Sequence, residues 1–327
     1  MTTDPPRSDP PPSNPFHHPP DGPLQPGVHP AEWFIDDVGD HGANFEEFRR
    51  EVGTLDTLGA AGRLVVVEGS KTSGKSTLIN RCLHHLLDQD EHRTRVREWD
   101  MTTVPTTRQV DSRRQLLTSP ELQHAVCSRV VRIKCTFLAD EDRTAAKEML
   151  EAREPDIGSV YALISDRLPD GEVAVIRLPK GDPDVERRSL ETYAAWTAPN
   201  IVFLAERTAP ATEAPFRTER DGSREPALVL RLSDLQPDDI RIVVDRRLDR
   251  LALVDPAGKL PRAVSGDVIN QLATLTATLT KAERGTLGWI VSVFRQIYER
   301  RMEEDPAWTT DEITWNEVTD LMTRREL

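Results

Sequence analysis

Eight residues in the first quarter of the chain have the types and spacing needed to bind phosphate. Residues 69–76 read GSKTSGKS and match G-x-x-x-x-G-K-[ST] at every fixed position. Gly69 and Gly74 permit positive φ angles and close backbone approach, so successive amide groups can surround a phosphate at the start of a helix. Lys75 is placed to contact the β- and γ-phosphates, and the Ser76 hydroxyl to ligate Mg²⁺. The predicted nucleotide-binding set is Gly69, Ser70, Lys71, Thr72, Ser73, Gly74, Lys75, Ser76 and Thr77.

The segments on both sides of this loop have the patterns that would position it. Residues 64–67 are continuously apolar and mostly β-branched, which is typical of a buried parallel strand. After the loop, apolar residues recur at helical spacing and predict a helix that starts near Lys75. Strand, loop and helix therefore follow in the order that phosphate binding requires.

The chain as a whole alternates between predicted strands and helices. Further strands are predicted at residues 94–101, 173–176, 201–204 and 227–232, with helices over 110–152, 157–168 and 185–196 between them. This order predicts an α/β sandwich with a mainly parallel sheet and helices on both faces. Residues 235–327 carry helical patterns only, among them one over 240–251 that places Asp245 on a helix.

Three regions follow from these patterns. Residues 1–30 hold eleven of the 25 prolines and almost no apolar side chains, which predicts a disordered tail. Residues 31–234 form the predicted nucleotide-binding domain, and residues 235–327 a helical lid with a helical C-terminal region.

Composition narrows the classes of partner. The formal net charge of −13 opposes a generally basic nucleic-acid surface, although the stretch from Arg108 to Lys134 leaves a local basic patch open. A solvated helix face is the preferred interpretation of that stretch. The three cysteines lack CxxC spacing and predict reduced core residues, and no apolar run is long enough to cross a bilayer. We therefore expect a cytoplasmic protein.

Beyond the loop, the order of elements over roughly residues 45–280 resembles the AAA+ and STAND branch of P-loop ATPases. In that branch, an αβα core is followed by a helical lid. The resemblance implies ATP binding, Mg²⁺, and a protein partner or self-association.

The strand that should carry the metal-binding acid departs from this family. Family members end it with Asp, commonly followed by a second acid that orients the attacking water. Here the matching strand reads EVAVIRLP over residues 172–179, with Arg177 in place of the acid. Asp182 is the predicted substitute for both metal binding and catalysis, with Glu206 and Asp100 as other carboxylates, and Lys75 completes the predicted catalytic set.

Two arginines are candidate sensors of the γ-phosphate, each with a plainer alternative. The strand over residues 201–207 resembles the STAND sensor segment and keeps Arg207, although Ala205 and Glu206 replace its threonines. The SGDVIN stretch over residues 265–270 resembles an origin-recognition-type lid, but Ile269 stands where that lid has arginine. Arg262, in GKLPR, is the candidate replacement. The alternative for Arg207 is an exposed arginine at the end of a strand. The alternative for Arg262 is a solvated residue that leads into a helix.

Three functions are compatible with these patterns. The first is a regulatory ATPase switch with slow or conditional hydrolysis. The second is a small-molecule kinase, because Glu68-Gly69 before the loop and Asp166-Arg167 resemble motifs of nucleoside monophosphate kinases. The third is a non-hydrolysing interaction module that holds a nucleotide.

Overall fold

The computed structural model describes most of the chain. The described residues are 24–26, 28, 34–70, 73–89, 94–110, 113–180, 183–209, 213–214, 216, 227–233, 236–249, 264–279, 287–304 and 312–323. They belong to two compact units. The sheet unit lies within residues 23–29 and 40–234, and the helical unit within residues 30–39 and 235–327.

The sheet unit is built on a five-stranded parallel sheet. Its strands are β1 (Arg63–Gly69), β2 (Val96–Asp100), β5 (Val173–Arg177), β6 (Ile201–Thr208) and β7 (Ala227–Arg231), in the spatial order β2-β5-β6-β1-β7. All seven residues of β1 are buried, as expected for a strand with neighbours on both sides and helices on both faces. The α/β sandwich predicted from the sequence is confirmed.

Helices cover both faces of this sheet. Their bounds are α1 (His41–Val52), α2 (Leu55–Ala60), α3 (Lys75–Asp88), α4 (Ser119–Arg129, continued by a π-helical turn over Val130–Lys134), α5 (Asp140–Glu151), α6 (Ile157–Arg167) and α7 (Pro183–Ala195). Alternate residues of each strand point to opposite faces. Val65 and Val67 pack with α1, α2 and α3, whereas Leu64 and Val66 pack with α4 to α7.

A hairpin interrupts the region that the sequence predicted to be helical. Residues 107–110 form β3 (Thr107–Val110), which pairs antiparallel with β4 (Arg113–Leu116). Val110 and Leu116 are 39% and 49% exposed, so neither side chain contributes to the core. The prediction of helices throughout residues 110–152 was wrong at its start, because an exposed hairpin has no buried face to leave a pattern in the sequence.

The helical unit has its own core. Its helices are α8 (Pro237–Asp249), α9 (Gly266–Leu279), α10 (Leu287–Glu304) and α11 (Trp315–Thr323). Val264, before α9, and Ile313, before α11, form a parallel bridge. Phe294 and Tyr298 of α10 are fully buried in this core. Asp245 is exposed on α8, in agreement with its predicted helical position. Within the described residues, no helix combines the length and apolarity needed to span a bilayer.

Candidate phosphate-binding site

The GSKTSGKS loop connects the end of the central strand β1 to the start of α3. Both neighbouring strands fix its base, because the amide of Ala209, after β6, donates to the Gly69 carbonyl, and the amide of Leu232, after β7, donates to that of Glu68. Gly74 precedes α3 with φ +94°, in the left-handed region that favours glycine. The first amides of a helix have no carbonyl of their own helix to bond. The loop thus presents a helix start at the carboxyl edge of the sheet.

A buried histidine supports this loop from α1. The Nε2 atom of His41 donates to the carbonyl oxygen of Ser73 at 3.0 Å, which places the proton of the ring on Nε2. A Cβ atom at Gly74 would lie 2.5 Å from the same nitrogen, so glycine is required here for space as well as for φ. Asn44, one turn later in α1, donates to the carbonyl of Arg231 at the end of β7. These contacts tie α1 to both the loop and the sheet.

Lys75 is buried inside the loop. Its Nζ atom donates to the carbonyl oxygens of Gly69, at 3.0 Å, and Ser70. The ammonium group is therefore held within the ring of backbone atoms where the phosphates of a nucleotide would lie. Its contact with phosphate stays a prediction.

Thr77 contacts the N-terminal segment. Its Oγ1 atom accepts a hydrogen bond from the amide of Leu24 at 3.2 Å, and Asn80 donates to the Leu24 carbonyl at 2.7 Å. Leu24 therefore lies against α3, within the stretch over residues 1–30 for which the composition predicts a disordered tail. The composition could not show these backbone contacts, because they involve no apolar pattern.

The Ser76 hydroxyl is engaged by a lysine. Lys180, in the loop after β5, donates from Nζ to Ser76 Oγ at 3.1 Å and forms a 2.8 Å ion pair with Glu206 on β6. The Glu206 side chain is only 8% exposed, whereas that of Lys180 is 63% exposed. Ser76 and Glu206, which the sequence places in the metal and catalytic sets, are thus brought together with a cation between them.

Two more strands end at this edge of the sheet, one with Arg177 and one with Asp100. Arg177, at the strand end where the family has its acid, lies 3.7 Å from Glu98 on β2. Asp100 ends β2, which is separated from β1 by two strands, or about 14 Å at the usual strand spacing. Burial raises the pKa of Asp100, but hydrogen bonds from the hydroxyl and amide of Thr102 outweigh it and lower the pKa overall. The structure does not bring Asp100 to the loop.

Arg207 lies in a buried ion pair on the opposite face of the sheet from Glu206. It faces Glu68 across the β1–β6 ladder and bonds to its carboxylate at 2.5 Å, and it also pairs with Glu213. The Glu68 side chain is completely buried and also accepts a hydrogen bond from the amide of Phe216. Approach of Arg207 to a phosphate would require this pair to break.

Several predicted site residues lie outside the described part of the chain. These are Lys71, Thr72, Asp182 and Arg262. Ile269, which stands where the origin-recognition-type lid has arginine, is 2% exposed in the core of the helical unit.

The described residues of the loop fit a phosphate group. Ser73 Oγ is buried and has no hydrogen-bond partner within the described structure, and Lys75 supplies a buried positive charge. For Mg²⁺, in contrast, oxygen ligands are needed. Across the described ranges, no group of three His, Cys, Asp or Glu side chains is arranged to hold a metal ion.

Sequence reasoning missed two residues that shape this site. His41 is the first residue of α1 and carries no motif, so nothing in the sequence indicated its contact with the loop. Lys180 was weakly indicated by its position, because it closely follows the strand in which Arg177 replaces the expected metal-binding acid. Both contacts depend on how separate elements pack.

Comparisons with known proteins identify the fold. No protein-family profile matches the sequence, and no curated protein is recognisably similar to it. The structure is similar to that of the Aeropyrum pernix Orc1 protein, solved in complex with DNA, with a TM-score of 0.52 and 12% identity over 90% of this chain and 68% of that one. It is also similar to Cdc6p from Pyrobaculum aerophilum, with a TM-score of 0.51 and 12% identity over 87% of this chain and 68% of that one. At the level of fold, the chain is similar to these two proteins: it has an α/β sandwich with a mainly parallel sheet, followed by a helical C-terminal region.

Proposed function

We propose that this chain binds ATP in the loop over residues 69–77 and works as a regulatory AAA+ switch of the STAND-like kind. The observation that carries the proposal is the loop itself, with Gly74 in the left-handed region before α3 and the Lys75 ammonium buried among its carbonyls. The AAA+ fold type places such a loop at the carboxyl edge of a central strand, where ligands of open α/β sheets bind. The helical unit is the proposed responder to the nucleotide.

We further propose that hydrolysis is slow or conditional. Arg177 occupies the strand end where the AAA+ and STAND proteins have the Asp that holds Mg²⁺, and the Glu206 carboxylate is paired with Lys180. Asp182, with Glu206 as the second carboxylate, remains the proposed source of catalysis. Arg262 and Arg207 remain candidate sensors, Arg207 only if its pair with Glu68 opens.

Lys75→Ala tests the binding site. We expect ATP affinity to fall at least tenfold, or about 1.4 kcal/mol, because the variant loses the only charged group of the loop described by the structure. Isothermal titration calorimetry measures the affinity and circular dichroism the fold. Lys147→Ala, at an exposed position of α5, is the matched control. Equal ATP affinity in both variants would contradict the assignment.

Turnover separates the switch from its alternatives. The rate of phosphate release from ATP should be low. If self-association completes the site, the specific activity should rise with protein concentration. Transfer of phosphate to a small-molecule acceptor would favour the kinase, and stable binding without turnover would favour the interaction module. Asp182→Asn and Glu206→Gln, made singly, show which carboxylate contributes to any turnover.

A nucleic-acid partner is a secondary proposal. The β3–β4 hairpin exposes Arg113 and Arg114, and one structural neighbour was solved with DNA. The net charge of −13 weighs against a broad basic surface. DNA affinity that falls steeply with added salt and weakens in Arg113→Ala/Arg114→Ala would support this partner.

A further inference from the structure

The position next to Ser76 is taken by a side-chain cation. The hydroxyl of this residue in the G-K-[ST] motif normally ligates Mg²⁺. Here it accepts a hydrogen bond from Lys180 Nζ at 3.1 Å, and the same ammonium group is 2.8 Å from Glu206 Oε2. One lysine therefore bridges two groups that, among the described residues, would be oxygen ligands of a metal ion at this position.

The strand register explains why Lys180 reaches this position. β5 and β6 are parallel neighbours with Arg177 opposite Leu204, so the chain after β5 runs alongside the end of β6. Glu206 lies on the same face as Val202 and Leu204, which pack in the core formed with α3. A lysine three residues beyond β5 thus meets a carboxylate that points toward the P-loop helix.

The balance of charge around Ser76 is unlike that of a magnesium site. Lys75 is buried in the loop, Lys180 contacts the hydroxyl, and the strand end of β5 carries Arg177 instead of an acid. Glu206 is the carboxylate at the centre of this group, and its pairing with Lys180 already offsets its charge. A divalent cation at Ser76 would have to approach an ammonium group within hydrogen-bond distance of its own ligand, which Coulomb repulsion disfavours.

We propose that Lys180 takes the place of the metal ion, so that this loop binds a nucleoside triphosphate as the magnesium-free anion. Lys75 contacts the phosphates from inside the loop, and Lys180 contacts them from the Ser76 side while Glu206 holds its ammonium in position. This inference rests on the proposed function, since it specifies the form of the ligand at the same site. Binding in this form neither makes nor breaks a covalent bond.

Affinity for ATP with and without Mg²⁺ tests the proposal. Wild-type protein should bind ATP in excess EDTA within about threefold of its affinity in Mg²⁺. Lys180→Gln, which removes the charge and shortens the side chain by one atom, should lose at least tenfold in ATP affinity in EDTA. Mg²⁺ should restore part of that loss, because Ser76 and Glu206 are then free to ligate it. Lys147→Ala is the control for removal of an exposed lysine.

The outcomes distinguish this proposal from the proposed function. Wild-type ATP binding that weakens at least tenfold in EDTA overturns the role of Lys180 and leaves ATP binding intact, as does a Lys180→Gln variant that binds like wild type in EDTA. Absence of ATP binding by folded wild-type protein in both buffers overturns both proposals. Lys180→Ala, checked by circular dichroism, replaces Lys180→Gln if the amide variant does not fold.

Discussion

Gly74 shows how a single residue serves both the shape of the loop and its support. Its φ of +94° costs about 1–2 kcal/mol for any residue with a Cβ, and that atom would lie 2.5 Å from His41 Nε2. We predict that Gly74→Ala lowers the melting temperature of the sheet unit by roughly 2–8 °C, given about 2–4 °C per kcal/mol at this size. ATP affinity should fall with it, because His41 must move.

Gly266→Ala provides the matched control for this substitution. Gly266 is the first residue of α9, and an added Cβ would meet no atom within 4 Å. Differential scanning calorimetry of both variants should therefore separate the specific cost at Gly74 from the general effect of replacing glycine. A melting temperature of Gly74→Ala equal to that of wild type would contradict the strained-loop account.

The buried pair of Glu68 and Arg207 gives a second test at this scale. Removal of one member leaves an uncompensated charge, since Glu68 is fully buried and Arg207 is 3% exposed. We predict that Arg207→Met lowers the free energy of unfolding by about 3–5 kcal/mol and that Glu68→Gln/Arg207→Met restores much of it. Urea unfolding measures both. Loss of ATP affinity without loss of stability would instead identify Arg207 as a nucleotide sensor.

At the scale of elements, the sequence predicted those whose residues show a clear period. β1, α3, β5, β6, β7 and α8 were expected within a few residues of their observed bounds, because buried strands and amphipathic helices leave distinct patterns. The β3–β4 hairpin was missed, since its residues are exposed on both strands. The pairings of Lys180 with Glu206 and of Glu68 with Arg207 depend on the strand order β2-β5-β6-β1-β7, which no local pattern determines.

The start of α11 links the stability of the helical unit to pH. The Glu317 carboxylate accepts a hydrogen bond from the amide of Thr314 at 2.9 Å and forms an ion pair with Arg301 on α10 at 2.6 Å. Burial raises the pKa of Glu317, but these bonds outweigh it and lower the pKa overall. A carboxyl with a lowered pKa stabilises the folded state fully above its unfolded pKa of about 4.3, and this contribution is lost as pH falls below that value.

Glu317→Gln tests this link. We predict a loss of about 1–2 kcal/mol in the free energy of unfolding at pH 7, below the roughly 1.5–3 kcal/mol of hydrogen bonds to charged groups because the Glu317 side chain is 30% exposed. The difference from wild type should shrink as pH falls from the unfolded pKa of about 4.3 toward the lowered pKa of the folded state, because the wild-type carboxyl then becomes neutral too. Urea titrations at pH 7, 5 and 3 measure it, with Asp245→Asn on the exposed face of α8 as control. A pH-independent difference would assign the effect to packing alone.

At the scale of the whole molecule, the two units have separate cores, and this separation makes the switch testable. Residues of the sheet unit form two clusters on the faces of the sheet, and those of α8 to α11 form a third. ATP at about 100 times its Kd should stabilise whatever it binds by about 2.7 kcal/mol. A ligand changes the helical unit only if it interacts differently with two states of that unit.

Hydrogen exchange with and without ATP therefore distinguishes a switch from a passive binding module. Both interpretations predict slower exchange over β1 and α3, where the loop is anchored. The switch also predicts a change in α9 and α10, because the nucleotide must alter the stability of the helical unit to regulate anything through it. Lys75→Ala should abolish both changes. Protection confined to residues 63–88 in wild-type protein would exclude nucleotide control of the helical unit, leaving a module that holds ATP to stabilise its own sheet.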